Sequence, residues 1–190
     1  MAKTILSPKQ SQFLELAASD PQITSNFYLT GGTALSEFYL HHRESHDIDL
    51  FTEKDEVNPI LCETYLKKIS PQMGVKNYNR SNFLGLFSFI LNFTDGSTLK
   101  IDFNYYPFPP INKGKFYKIL RIDSLYDIAA NKLHTIFMKP RGRDFVDLYF
   151  ILQTENYNFD KLILDAKAKF DWHIDPLQLS SQFLRAGEFE

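Results

Sequence analysis

The sequence predicts an α+β protein in which a core of strands and helices is followed by a helical C-terminal lobe. Two observations lead to this prediction. Up to residue 122, helical stretches alternate with strands, and residues 84–105 are rich in strands. Beyond residue 122, apolar residues recur at helical spacing. We therefore expect an α/β core over residues 1–122 and a helical subdomain over residues 123–190.

The first elements follow from helix-start signals and from alternation. The Ser-Pro pair at 7–8 is typical of a helix start. Residues 26–30 form a short strand that runs into two glycines, and a helix follows with Thr33 as its expected N-cap. Strict alternation of polar and apolar residues over 47–51 predicts a second strand.

The middle of the chain is rich in strand signals. The Asn-Pro pair at 58–59 begins a helix that is expected to end near residue 70. The almost wholly apolar run 84–93 predicts a central strand covered on both faces. The Asp-Gly pair at 95–96 is typical of a hairpin turn. Residues 99–105 alternate again and form the next strand, which a group of prolines ends.

Four helices are expected after residue 122. Ser124 is a suitable N-cap for the first, whose apolar stripe ends before Pro140. A short basic turn at 139–143 leads into the second. The third and fourth helices are expected around 159–170 and 176–186.

The composition is that of an average globular protein. Of the 190 residues, 44% are hydrophobic and 23% are charged, and the formal net charge is −2. No apolar run approaches the roughly 18 residues of a membrane span, and the chain does not open on a signal-like apolar segment. The single cysteine cannot form an internal disulfide. We therefore expect a cytoplasmic protein without membrane association, in which any RNA contact needs a local basic patch.

Asp47 and Asp49 are the first candidates for chemistry. Residues i and i+2 of a strand point to the same face, roughly 6.6 Å apart along the chain. Two carboxylates held in this way repel each other, and a hard divalent cation such as Mg²⁺ relieves the repulsion. A lone Asp-x-Asp is also common on exposed strand faces, so a pair of solvated acids is the alternative.

Two further features make the set more specific. The glycines at 31–32 and Thr33 lie where a strand turns into a helix, an arrangement that can approach a phosphate closely, although an ordinary strand–helix turn has the same pattern. Asp102 lies on the polar face of an otherwise apolar strand, where it either faces solvent or needs a cation or hydrogen bonds. Three such acids could hold metal ions that join a nucleoside triphosphate to an attacking hydroxyl.

Four blocks of the sequence resemble the AbiEii/AbiGii nucleotidyltransferase family. They are Gly-Gly-Thr-Ala-Leu at 31–35, Arg-x-Ser-x-Asp-Ile-Asp-Leu-Phe at 43–51, Lys-Leu-His at 132–134 and Arg-Asp-Phe-Val-Asp-Leu at 143–148. The resemblance spans residues 27–152, with the blocks in the family's order. The family comprises toxins of bacterial type IV toxin–antitoxin and abortive-infection systems and belongs to the polymerase-β-like nucleotidyltransferase superfamily.

The resemblance implies a polymerase-β-like fold, with a mixed β-sheet core flanked by helices, and it implies a role for each matching residue. Asp47, Asp49 and Asp102 would be the metal ligands for Mg²⁺, for which Mn²⁺ could substitute. Lys132 would neutralise the triphosphate, and the C-terminal subdomain would complete the nucleotide site. The other implied nucleotide-binding residues are Gly31, Gly32, Thr33, Arg43, Ser45, Arg143, Asp144 and Asp147.

The residues themselves support some of these roles. Lys132 falls inside the apolar stripe of its helix, where a lysine is costly unless it meets an anion or extends to the surface. Arg143 and Asp147 are spaced i,i+4 and could equally form a surface ion pair. Asp144 could instead cap its helix.

The resemblance implies transfer of a nucleoside monophosphate from a nucleoside triphosphate to an acceptor hydroxyl. The implied acceptor is RNA, namely the 3′ end of tRNA, and a separately encoded antitoxin would restrain the activity. The basic turn 139–143 with Lys113, Lys115 and Lys118 is the candidate RNA-facing patch. Two alternatives are a nucleotidyltransferase that modifies a small molecule, such as an aminoglycoside, or a protein hydroxyl, and a catalytically silent nucleotide-binding protein. The sequence leaves open the base, the acceptor and the oligomeric state.

Overall fold

The computed structural model describes residues 4–189, and the chain divides into two compact units. The first comprises Met1–Pro107 with Gly114–Asp123 and contains the β-sheet. The second comprises Phe108–Lys113 with Ser124–Glu190 and is helical. The predicted α+β class is confirmed.

Three helices of the first unit start in the same way, with a capping side chain followed by proline. Ser7, Asp20 and Asn58 each accept hydrogen bonds from backbone N–H groups of the first helical turn. Ser7 forms a capping box with Gln10. The helices are α1 (Pro8–Ala17), α2 (Pro21–Asn26), α3 (Gly31–Leu35), which continues into a π-helical turn (Ser36–Leu40), and α4 (Pro59–Met73).

The strands of the first unit form one mixed seven-stranded sheet with the order β3-β4-β5-β2-β1-β7-β6. The pairs β2–β5 and β1–β7 are parallel, and the other pairs are antiparallel. The strands are β1 (Tyr28–Thr30), β2 (Asp47–Thr52), β3 (Val75–Phe83), β4 (Leu86–Phe93), β5 (Thr98–Tyr105), β6 (Lys115–Tyr117) and β7 (Leu120–Ile122).

The central strands have one apolar face and one polar face. Ile48 and Leu50 of β2 lie opposite Ile101 and Phe103 of β5, and all four side chains are fully buried. The residues between them are polar and project to the other face. Burial of the apolar face therefore fixes which residues the polar face presents.

Helix α4 contributes buried side chains to the core of the first unit. Tyr65 packs edge-on against Phe13 of α1, with ring centroids 6.1 Å apart. Cys62, the cysteine of the chain, is fully buried, and burial raises the pKa of its thiol to about 12.

In the second unit, α5 contacts each of the other three helices. These helices are α5 (Leu125–Met138), α6 (Gly142–Thr154), α7 (Phe159–Phe170) and α8 (Pro176–Leu184), which a 3₁₀ turn (Arg185–Glu188) follows. Ser124 caps α5 as the sequence predicts, because its side chain accepts a hydrogen bond from the N–H of Asp127. None of the helices within residues 4–189 has the length and apolar character of a membrane span.

A buried carboxylate holds the second unit together. Asp127 accepts hydrogen bonds from Lys169 Nζ at 2.7 Å, from Ser124 Oγ at 2.6 Å and from the backbone N–H groups of Ile111 and Asn112. Burial alone would raise the pKa of Asp127, but the hydrogen bonds from Lys169, Ser124 and Ile111 outweigh burial and lower it. The carboxylate thus anchors the 108–113 loop and α7 to α5.

Two expectations about strands and turns are wrong. The run 84–93 is a strand only from Leu86, because Leu84 is a turn residue at φ 46° and is 87% exposed. Within the strand, Ile90 faces outward at 40% exposure while its neighbours are buried, so β4 is not covered on both faces. Strand β3, a polar edge strand, and the short elements α2, β6 and β7 give no strong apolar pattern and were not predicted.

Two helix limits also differ from expectation. Helix α3 begins at Gly31, with Thr30 as N-cap and no side-chain cap, so Thr33 lies inside the helix and does not cap it. Helix α4 passes through Pro71 and ends at Met73, because Gly74 at φ 71° adopts the left-handed conformation that ends a helix. The side chain of Met73 is buried.

We expect Asp127→Asn to lower the free energy of unfolding by about 3 kcal/mol, because Lys169 then stays buried without its charge partner. Because the folded pKa of Asp127 is lowered, its contribution is present above the unfolded pKa of about 3.9 and is lost as pH falls through the folded value. The variant should therefore show a weaker acid dependence of stability.

Urea unfolding followed by the fluorescence of Trp172, which lies in the second unit, measures both effects. The matched control is Asp160→Asn, at an exposed position in the first turn of α7. Equal losses of stability in the two variants would contradict the assignment of Asp127 as the anchor.

Candidate active site

The polar face of the sheet brings together the three acids singled out in the sequence. In the parallel pair β2–β5, Asp49 lies opposite Asp102, and Asp47 lies opposite Lys100. Because residues in register share a face, all four side chains project from the same side. Asp47 and Asp49 are half-buried, and Asp102 is 7% exposed.

Asp102 receives a cationic partner and a hydrogen bond from within the same unit. Lys100 Nζ is 2.5 Å from Asp102 Oδ2 and 3.9 Å from Asp47 Oδ2. Ser88 of β4 donates a hydrogen bond to Asp102 Oδ1 at 2.5 Å. These contacts supply the compensation that a buried carboxylate needs. Lys100 was not predicted as part of the site, although its position two residues before Asp102 places both on one face.

Gly31 and Gly32 lie where side chains of the 43–51 block, here called the second motif, need space. Gly31 has φ 74°, and a Cβ there would overlap the Asp49 carboxylate, whose Cγ would be only 2.9 Å away. A Cβ on Gly32 would come within 2.8 Å of both Arg43 Nη2 and Ser45 Oγ. The absence of side chains at 31 and 32 therefore lets the second motif pack against the start of α3.

Thr33 joins the two motifs by a hydrogen bond. Its Oγ1 donates to the carbonyl oxygen of Asp47 at 2.5 Å. The hydroxyl hydrogen of Thr33 is thus used within the protein, whereas a helix cap or a phosphate contact was the expected role of this side chain. The bond fixes the start of β2 against α3, and with it the backbone that carries the acids.

Two residues outside the motifs hold this region in place. Gln10 of α1 is 3% exposed and donates from Nε2 to the carbonyl oxygen of Ser45 at 2.6 Å. Asp123 accepts hydrogen bonds from Thr30 Oγ1 at 2.7 Å and, at its carbonyl oxygen, from Tyr39 OH at 2.8 Å. None of these three contacts was predicted, because each joins positions 35 or more residues apart in the chain.

The second unit contains a buried charge cluster formed by the other motif residues. Lys132 Nζ is 2.8 Å from Asp144 Oδ1 and 2.6 Å from Asp147 Oδ2, and both carboxylates are fully buried. Arg141 Nε lies 2.8 Å from Asp144 Oδ2. Burial would raise the pKa of Asp144, but Arg141 and Lys132 lower it below its ordinary value. The anions that Lys132 meets here are therefore protein carboxylates.

This cluster changes two interpretations. Asp147 is buried and pairs with Lys132, whereas Arg143 is exposed, so these two do not form the surface pair that their spacing allowed. Asp144 does not cap α6, because Arg141 is the N-cap residue and Asp144 lies in the first turn. The implied role of Lys132 at the triphosphate stays a prediction.

The candidate RNA-facing lysines are partly used within the protein. Lys115 Nζ donates to the carbonyl oxygen of Phe38 at 3.3 Å and lies 4.3 Å from the centre of the Tyr39 ring. Lys118 pairs with Glu15 of α1. These contacts reduce the charge that either side chain can offer to a phosphate backbone.

The three acids suit a hard divalent cation for two reasons. Their donor atoms are carboxylate oxygens, and a positive charge, the Lys100 ammonium, already lies beside two of them. Carboxylate oxygens are the ligands that Mg²⁺ prefers, and the Lys100 ammonium already lies between Asp47 and Asp102. Over residues 4–189, no three His, Cys, Asp or Glu side chains are grouped as a ready metal site. Asp49 lies against Gly31, and Lys100 lies between the other two acids.

Several solved structures share the fold of this chain. A crystal structure described as a "putative nucleotidyltransferase from H. pylori" matches with a TM-score of 0.62 and 23% identity, covering 97% of this chain and 85% of that one. JHP933 from Helicobacter pylori matches with a TM-score of 0.57 and 20% identity, covering 95% and 81%. The Megavirus polyadenylate synthase matches with a TM-score of 0.50 and 14% identity, covering 78% and 32%. A search of curated proteins finds no match.

The chain thus has the fold of these structures, with its acids beside a glycine turn. The model of one family, the AbiEii nucleotidyl transferase toxins of type IV toxin–antitoxin systems, matches residues 12–190. The chain belongs to this family, as the four sequence blocks indicate.

We expect Gly31→Ala to lower nucleotidyl transfer by about 100-fold, because the new Cβ displaces the Asp49 carboxylate. The matched control is Gly96→Ala. Gly96 also has a positive φ, 83°, but a Cβ there meets nothing within 4 Å. Both variants should lose about 1–2 kcal/mol of stability from backbone strain, measured by thermal unfolding. Equal activities in the two variants would rule out a steric requirement at Gly31.

Proposed function

We propose that this nucleotidyltransferase uses Mg²⁺ to transfer a nucleoside monophosphate from a nucleoside triphosphate to a hydroxyl of RNA. The observation that carries the proposal is the placement of Asp47, Asp49 and Asp102 on one sheet face. Asp49 also packs against Gly31 at the start of α3. A bound divalent ion would lower the pKa of the acceptor hydroxyl and offset the charge that develops on the phosphate.

The residues of the first unit would bind and orient the reactants. Ser45 and Arg43 border the glycine turn at Gly32, where they would contact the phosphates. One carboxylate of the acid face takes the proton of the acceptor hydroxyl. The acceptor oxygen then forms a bond to the α-phosphorus, and the bond from that phosphorus to the pyrophosphate oxygen breaks.

The 3′ end of tRNA is the acceptor that we propose, with a cytoplasmic site of action and restraint by a separately encoded antitoxin. The family supports the antitoxin, because it comprises toxins of type IV toxin–antitoxin systems. Three exposed basic residues of the second unit supply the phosphate contacts in this proposal, namely Lys113, Lys139 and Arg143.

A small cationic acceptor is the second candidate. Two lysines of the proposed RNA-facing patch, Lys115 and Lys118, pair within the first unit. The polar sheet face itself presents three carboxylates against one lysine. An acidic surface of this kind attracts a positively charged small molecule more than it attracts RNA.

The test is incubation of the protein with each labelled nucleoside triphosphate, Mg²⁺ and total tRNA. We expect label in RNA with one preferred base, loss of labelling with a chelator, and a loss of at least about 100-fold in Asp49→Asn. Asp55→Asn, at an exposed position after β2, removes the same charge outside the acid face and should retain the activity.

Labelling of a small amine-rich molecule in place of RNA would favour the second candidate. Labelling that continues unchanged with a chelator or in Asp49→Asn would exclude the proposed mechanism. Triphosphate binding without transfer to any acceptor would indicate the catalytically silent alternative.

A further inference from the structure

Lys100 places its ammonium between two of the candidate metal ligands. Its Nζ is 2.5 Å from Asp102 Oδ2 and 3.9 Å from Asp47 Oδ2. An ion that joined these two carboxylates would need the space that the ammonium now takes. Lys100 and a divalent cation therefore compete for the same two acids.

The two ends of Lys100 have different environments. Its backbone belongs to the central strand β5, while its side chain is 38% exposed. A lysine has a flexible four-carbon stem, so the ammonium can leave the carboxylates without a change in the backbone. Asp102 cannot leave in the same way, because its side chain is 10% exposed and Ser88 holds its other oxygen.

We propose that Lys100 is an exchangeable counter-cation of the acid face. The proposal rests on the metal dependence of the proposed function. In the metal-free protein, Lys100 compensates Asp47 and Asp102 and keeps them in place. When a divalent cation binds these acids, the ammonium moves away, and the triphosphate that accompanies the metal becomes its new charge partner.

The exchange makes metal binding depend on the nucleotide. A free divalent ion must displace the ammonium into water, whereas a metal–triphosphate complex also supplies phosphate oxygens to receive it. Lys100 is therefore a positioning residue, which lowers the affinity for free metal and favours arrival of the metal with its nucleotide.

The test compares Lys100→Met, Lys100→Arg and wild type for Mn²⁺ binding without nucleotide, measured from the spin-resonance signal of free Mn²⁺. The control is Lys76→Met, which removes one positive charge at an exposed position of β3. We expect Lys100→Met to bind Mn²⁺ on the order of tenfold more tightly, because the competing ammonium is gone. Lys100→Arg and Lys76→Met should bind as wild type does.

Thermal unfolding provides a second readout. In a chelator, Lys100→Met should unfold at a lower temperature than Lys76→Met, because Asp47 and Asp102 then lack a cation. Saturating Mn²⁺ should remove this difference. If Lys100→Met folds only with Mn²⁺, the conclusion is the same, since the metal then replaces the missing charge.

The outcomes separate this proposal from the proposed function. If wild type binds Mn²⁺ through Asp47, as Asp47→Asn would show, and Lys100→Met binds no more tightly, the role of Lys100 is wrong while the metal site stands. If neither wild type nor Lys100→Met binds Mn²⁺ or the Mn²⁺ complex of a nucleoside triphosphate, both proposals fail. If both Lys100→Met and Lys76→Met bind Mn²⁺ more tightly, the change in net charge explains the tighter binding, and the proposed exchange of Lys100 for the metal is wrong.

Discussion

The parallel pairing of β2 with β5 is the constraint on which the candidate site depends. Opposite faces of these two strands carry four fully buried apolar side chains and four charged ones. A shift of one residue in either strand would turn its acids into the core. Burying each apolar side chain contributes about 1.5–3 kcal/mol, so the four together outweigh the repulsion among the acids, which Lys100 also reduces. The hydrophobic face thus holds like charges together on the other side.

Lys100, Lys132 and Lys169 each pair with a buried acid. In the second unit, Lys132 joins α5 to Asp144 and Asp147 of α6, and Lys169 joins α7 to Asp127 of α5. These pairs lie between helices, and their burial makes each partner costly to remove. The pair at Lys100 differs because its lysine reaches solvent. Burial thus distinguishes fixed pairs, which hold helices together, from a pair that can exchange its cation.

The sequence predicted the parts of the structure that depend on local pattern. Alternation identified β2 and most of β5, and the capping residues located the starts of α1, α4 and α5. Strand β3 was not predicted, because it is a polar edge strand whose residues follow no apolar alternation.

Within the candidate site, the sequence blocks identified Asp47, Asp49 and the glycines, and Asp102 was identified as an acid on the polar face of an otherwise apolar strand. The contacts of Gln10 with Ser45 and of Lys100 with Asp47 could not be predicted, because they depend on which strands and helices become neighbours. Lys132, in contrast, could be singled out from the sequence, because a lysine is unusual inside an apolar stripe. The partners of this lysine emerged only when α5 and α6 packed together.

The environment of Cys62 has a practical consequence for spectroscopy. The thiol is fully buried and its pKa is raised to about 12, so almost no thiolate is present near neutral pH to react with maleimides or iodoacetamides. A cysteine introduced at an exposed position would consequently be the preferred target of such reagents. Fluorophores or nitroxides can therefore be attached to chosen surface positions of the folded protein while the thiol of Cys62 stays unmodified.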